Sequence, residues 1–153
     1  MPPVSVTTFV GPFPRNDLIT RVKGANLFKI VGSSATLAVA LATPPAAVPA
    51  VYFCVNETFS KNAGLTGVLI QSATVNIQSV VWIKNYAGSQ AGEAAAADMD
   101  ALLPQLRLAL LNWSPAPAFR PLRMSASRDE FYKDGYLVVQ ELYRTEYRLQ
   151  VTA

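Results

Sequence analysis

The sequence predicts an α+β fold: an antiparallel sheet of about four to five strands, two to three helices packed on it, and a long C-terminal hairpin. Three observations carry this. First, Tyr136 to Val151 contains no Gly, Pro, Asn or Asp. Leu137, Val139, Tyr143, Tyr147, Leu149 and Val151 share one parity, broken by Glu141 and Thr145, and Gln140, Arg144, Glu146, Arg148 and Gln150 share the other. A period of two over this length is one long strand, apolar on one side and polar on the other. Second, Val75, Ile77, Val81 and Ile83 alternate with Thr74, Asn76, Gln78 and Lys84, a second strand within Gly67–Tyr86. Third, Met99, Leu102, Leu103, Leu106, Leu110 and Trp113 recur at helical spacing, so a helix over 90–113 lies along the sheet.

The remaining elements follow in order. Residues 1–13 hold three prolines and little pattern and are expected to form an extended arm; residues 14–153 form a single α/β domain. Arg15 to Asn26 is a first helix, started near Asn16 or Asp17 and weakened at Gly24. Leu27 to Val31 is a short strand or an extended link. A second helix runs from about Ser34 to Thr43, capped by Ser33 or Ser34, with Leu37, Val39, Ala40 and Leu41 as its face. After the prolines comes a strand over about Ala50–Val55, then a polar loop, Asn56–Thr66. Gln71 to Thr74 is a place for a bend or bulge. Ala87-Gly88-Ser89 is a turn, Pro104 should kink the long helix or begin a second segment, and Ser114–Pro121 is a return loop. Leu122–Ser127 pairs with the last strand, leaving Arg128–Gly135 as a long charged tip.

Charged residues are 15% of the chain and the net charge is +3, too small to argue for nucleic-acid recognition. So sparse a charged surface suits one covered by partners. Ile30–Asn56 is uncharged, but Pro44, Pro45 and Pro49 interrupt it, so no membrane span is expected. The start, Met1-Pro2-Pro3-Val4, lacks a signal-peptide pattern. The single cysteine, Cys54, reads as a small buried hydrophobe in Val51–Val55.

Chemistry is poorly supplied. Without histidine the chain lacks the commonest general base and metal ligand. Asp98 and Asp100 diverge on a helix, Glu141 and Glu146 lie on opposite faces of a strand, and Gly32-Ser33-Ser34 lacks the lysine of a phosphate loop. No catalytic, cofactor or metal residues are assigned, and no enzyme is expected. A strand of this length does invite pairing with another chain. Trp82, on the polar parity of its strand, is either covered locally or an interface anchor.

Four stretches together resemble a known family. They are Phe28 to Leu41 with its following prolines and Ala50-Val51-Tyr52-Phe53; Asn62, Thr66-Gly67 and Gln71 before a strand closing on Lys84-Asn85; Ala109 to Pro115; and Pro121-Leu122 with Glu141 to Leu149. Over residues 14–151 the chain resembles the tail terminator proteins of long-tailed bacteriophages, in the Mu-like branch. The resemblance implies a ring, six subunits in number, that caps the head-proximal end of the tail tube and stops its growth. It implies a virion protein at the tail–neck junction, assembled in the host cytoplasm. The implied partners are other copies, the major tail tube protein, a neck or head completion protein and the tape measure protein, with genomic DNA passing through the lumen unread. Candidate assembly contacts are Trp82, Arg128, Asp129, Glu130, Lys133, Asp134, Arg144, Glu146 and Arg148. The alternatives are another connector component or tube subunit, or a small-ligand-binding domain or small enzyme.

Overall fold

The computed structural model describes residues 9–87 and 92–152. The first eight residues of the expected arm, the turn at residues 88 and 89, and the helix start at residues 90 and 91 lie outside the described residues. The elements are α1 (Arg15–Gly24), β1 (Ile30–Ser33), α2 (Leu37–Ala42), β2 (Ala50–Phe59), β3 (Val68–Lys84), α3 (Glu93–Leu110), β4 (Arg123–Lys133) and β5 (Tyr136–Thr152). The fold is α+β, with one five-stranded sheet in the order β1-β2-β3-β5-β4. β1 is parallel to β2 across the α2 crossover, and every other pair is antiparallel.

The two long strands form the spine. β3 and β5 are each 17 residues and pair without a slip from Val68↔Thr152 to Lys84↔Tyr136. The bulge expected at Gln71–Thr74 is therefore not there. Gln71 Nε2 donates to Ser60 O (2.8 Å) and Ser72 N to Ser60 Oγ (2.9 Å), so these residues hold the preceding loop instead of bending the strand. Asn62 Oδ1 accepts from Gly64 N and Ile70 N and closes that loop. The polar loop is shorter than expected because Asn56–Phe59 continue β2, register-paired with Asn76 back to Ala73.

One face of the sheet is covered by α1 and α3. Val51 and Phe53 of β2, Ala73, Val75, Ile77 and Val81 of β3, and Val139, Tyr143 and Tyr147 of β5 are buried beneath Leu18 and Val22 of α1 and Met99, Leu103, Leu106 and Leu110 of α3. Phe13 joins this core at 2% exposure, and the Phe9 ring meets Phe119 and Tyr147 edge-on, so residues 9 and 13, assigned to the arm by sequence, pack on the body. Helix α1 begins directly after Pro14, whose carbonyl accepts from Asp17 N and Leu18 N; neither Asn16 nor Asp17 caps it, because proline's fixed φ already starts the turn. Helix α3 runs through Pro104 without starting a second segment. Asp100 and Pro104 both lie on its exposed side, where water can take up the carbonyl that proline leaves without a donor.

The other face is covered only in part, by α2. Its cap is Thr36, whose Oγ1 accepts from Val39 N (3.2 Å), and not Ser33 or Ser34. Those serines are still extended: Ser33 ends β1 and Ser34 N donates to Phe53 O. Of the predicted helix face, Ala40 is buried and Val39 is exposed. Ala40, Ala50, Cys54, Val80, Trp82 and Val138 make a second, smaller core beneath this helix, flanked by Leu37, Leu41 and Phe131.

The tip predicted over Arg128–Gly135 is not a loop. β4 continues to Lys133 and the reversal is two residues, Asp134 (φ 53°) and Gly135 (φ 80°). Positive φ at both central residues is the hairpin geometry for which Asp-Gly is favoured. At Gly135 a Cβ would come within 2.5 Å of the Tyr86 ring.

Candidate assembly surface

The half of the sheet that α2 leaves open carries a lattice of polar side chains. Register sets the lattice: Asn56, Asn76, Arg144 and Arg123 lie in one row across β2, β3, β5 and β4. Arg144 Nε donates to Asn76 Oδ1 (3.3 Å) and Asn76 Nδ2 to Asn56 Oδ1 (3.3 Å). One row on, Arg123 Nη2 meets Glu146 Oε1 at 2.8 Å, with Arg120 Nε 4.0 Å from the other oxygen. Hydrogen bonding to Arg123, helped by the charges of Arg123, Arg120 and Arg144, holds the Glu146 carboxyl below its ordinary value. In the opposite direction Arg128 Nε donates to Glu130 Oε1 (2.8 Å) and Gln140 Oε1 (3.1 Å). Arg148 continues the Arg144–Glu146 parity and is exposed.

Of the sequence candidates, Arg128, Glu130, Arg144, Glu146 and Arg148 are thus brought onto one face. Asp129 is not; it pairs with Val139, on the α3 side. Lys133 and Asp134 lie at the far end of the hairpin and line a cavity of about 370 Å³ between it and α2, with Leu41, Pro44, Phe131 and Tyr136. Trp82 is not an exposed anchor. It is 1% exposed, donates Nε1–H to Ala40 O (3.1 Å) and meets Phe131 and Tyr136 edge-on, because α2 folds over this end of the face. Sequence reasoning missed Asn56, Asn76, Arg120 and Arg123 as members of the lattice. Only the register joins them to Arg144 and Glu146.

On the covered face, Glu141 breaks the apolar parity of β5 yet is fully buried. Arg107 of α3 reaches it with Nε at 2.8 Å and with Nη2, and Tyr143 Oη donates to its other oxygen (3.1 Å). The pairing raises the Arg107 pKa, and burial beside this carboxylate raises that of Tyr143 well above the ordinary phenol value. The pair ties the long helix to the spine. With Arg107 and Tyr143 both held to it, Glu141 is occupied as a structural acceptor.

A second open region lies at the far end of the spine, beyond the helices. There Phe59, Leu65, Leu69 and Val151 are exposed, the last two register-paired neighbours. A polar lattice on an open sheet face with apolar side chains at one end suits contact with another protein surface.

A family model described as phage tail terminator protein matches residues 9–153, nearly the whole chain and all of the described residues. The chain belongs to the phage tail terminator family. It is therefore a structural protein of the phage tail, and its partners are other tail or head components. The match begins at residue 9, which agrees with the packing of Phe9 and Phe13 on the core and moves the start five residues ahead of the one read from the sequence. No individual curated protein matches the chain. Among the described residues no helix is long and apolar enough to cross a membrane.

Proposed function

We propose that six copies of this chain close into a ring at the head-proximal end of the tail tube, stop its polymerisation and offer the neck its attachment surface. The observation that carries this is the family match over residues 9–153. The physical mechanism is completion of an edge. A tube end exposes unpaired surface; a ring that fits it but presents a different face outward ends the addition. A head-to-tail contact that closes on itself is the geometry such a ring requires. One side of the ring meets the major tail tube protein and the end of the tape measure protein, the other the neck or head completion protein. DNA passes through the lumen without sequence reading.

The assembly role has a direct test. Phage lacking this chain should make overlong or irregular tails and heads left unjoined, and supplying the chain should restore tails of one length. Normal virions in its absence would overturn the reading.

A further inference from the structure

Two parts of the surface are complementary in charge and in length. The open half of the α2 face and its rim carry five arginines, Arg120, Arg123, Arg128, Arg144 and Arg148, against two glutamates, Glu130 and Glu146. These cations are all arginine, the residue enriched at protein interfaces, where lysine is depleted. On the opposite side of the molecule the outward stripe of α3 reads Glu93, Ala97, Asp100, Ala101, Pro104 and Leu108, all exposed, with Leu108 at 81%. Its first half is acidic, and its alanines leave the helix smooth enough for close approach. The helix has 18 residues, about 27 Å at 1.5 Å per residue, and Gln140 to Arg148 of β5 extends about 27 Å at roughly 3.4 Å per residue.

We propose that the open half of the α2 face is the seat for the outward stripe of α3 from a second copy of this chain. Glu93 and Asp100 of one copy lie against Arg144 and Arg148 of the next, beyond the reach of its own α2. Each sheet then gains the helix layer that its own chain supplies to only half of that face. Because α3 and the seat lie on opposite faces of one subunit, the contact is head-to-tail, as a closed ring needs. The inference rests on the ring reading and specifies which surfaces join.

Charge exchange tests it in the full chain, supplied to phage that lack it. Glu93→Arg with Asp100→Arg, and Arg144→Glu with Arg148→Glu, should each lower the yield of infectious particles at least about tenfold, and the four changes together should restore most of it. A combined variant no better than either pair overturns the proposal. So does a loss in which tails of normal length form but DNA transfer fails, which would assign the arginines to DNA. Since reversal can also disturb folding, Ala97→Cys with Thr74→Cys, the latter in the row of Glu146 between Arg144 and Arg148, gives a second readout. Oxidised tails should yield disulfide-linked multiples of the chain, and monomer alone refutes the docking. Imaging separates the two readings: a ring at the tube end without these bridges sinks only the docking, whereas tube ends without a ring sink both.

Discussion

The two faces of the sheet are built from the same strands and meet different fates. Under α1 and α3 the buried row runs from Ile83 to Ala73 along β3 and from Leu137 to Tyr147 along β5, apolar except at Ser79, Glu141 and Thr145. On the α2 side the buried apolar row stops at Val80 and Val138; beyond them β3 presents Gln78, Asn76 and Thr74, and β5 presents Gln140, Arg144 and Glu146 with Leu142 half-buried among them. One strand thus has two buried sides at one end and a single buried side at the other. The difference shows that the covering of a sheet is set row by row along a strand. It also separates residues that keep the subunit folded from those free to meet a partner.

Removing a large side chain from each covered region should give the greatest losses of stability. Ile77→Ala on the α3 side and Trp82→Ala beneath α2 should each cost about 3–5 kcal/mol in denaturant unfolding. If Trp82→Ala proved nearly neutral, α2 would not be a true cover. Next comes a contrast between two arginines. Arg107→Leu strands the buried Glu141 carboxylate and should cost about 3 kcal/mol, at the low end for a buried pair because Arg107 is 37% exposed. Arg144→Leu, on the open lattice, should cost under about 1 kcal/mol. Equal losses would mean that the lattice stabilises the fold as much as the core pair does. Gly135→Ala should cost about 1–2 kcal/mol from its left-handed backbone, and more if the Tyr86 ring cannot move aside. Its thermal unfolding reports whether the hairpin reversal tolerates a side chain. The smallest effect is a pH dependence. Glu146 is held below the ordinary carboxyl value of 4.5, so its pair with Arg123 stabilises above that value and its contribution is lost as pH falls through the lowered pKa. Arg123→Ala should move the Glu146 titration, followed by NMR, up toward 4.5 with under about 1 kcal/mol lost at neutral pH.

Much of the architecture was readable in the chain. The spine strand Tyr136–Thr152 and the helix through Met99, Leu103, Leu106 and Leu110 follow from periods of two and of 3.6, because one side of each element is buried along most of its length. Alternation misled where burial is two-sided. Val80-Val81-Trp82-Ile83 is a continuous apolar run, the mark of a strand covered on both faces, whereas parity alone left Trp82 open between local cover and an interface anchor. The hairpin tip was overdrawn because the charges of Arg128–Lys133 outweighed Asp134-Gly135, the local signal for a two-residue reversal. Edge strands do carry charge, so charge alone could not separate strand from loop. Of the polar lattice, the β5 members were legible from parity. Their partners on β2, β3 and β4 were not, because pairing across the sheet depends on a register that no local pattern contains. Glu141 was legible only as an irregularity, since Arg107 lies 34 residues away.

The irregularities of β4 have a consequence of their own. Its alignment with β5 shifts twice, between Met124 and Ala126 and between Asp129 and Phe131. An outermost strand interrupted at two points offers a stranger no straight run of donors and acceptors to zip onto. Uncontrolled fibre growth from that rim is thereby discouraged, as the role proposed above at the end of a growing tube requires.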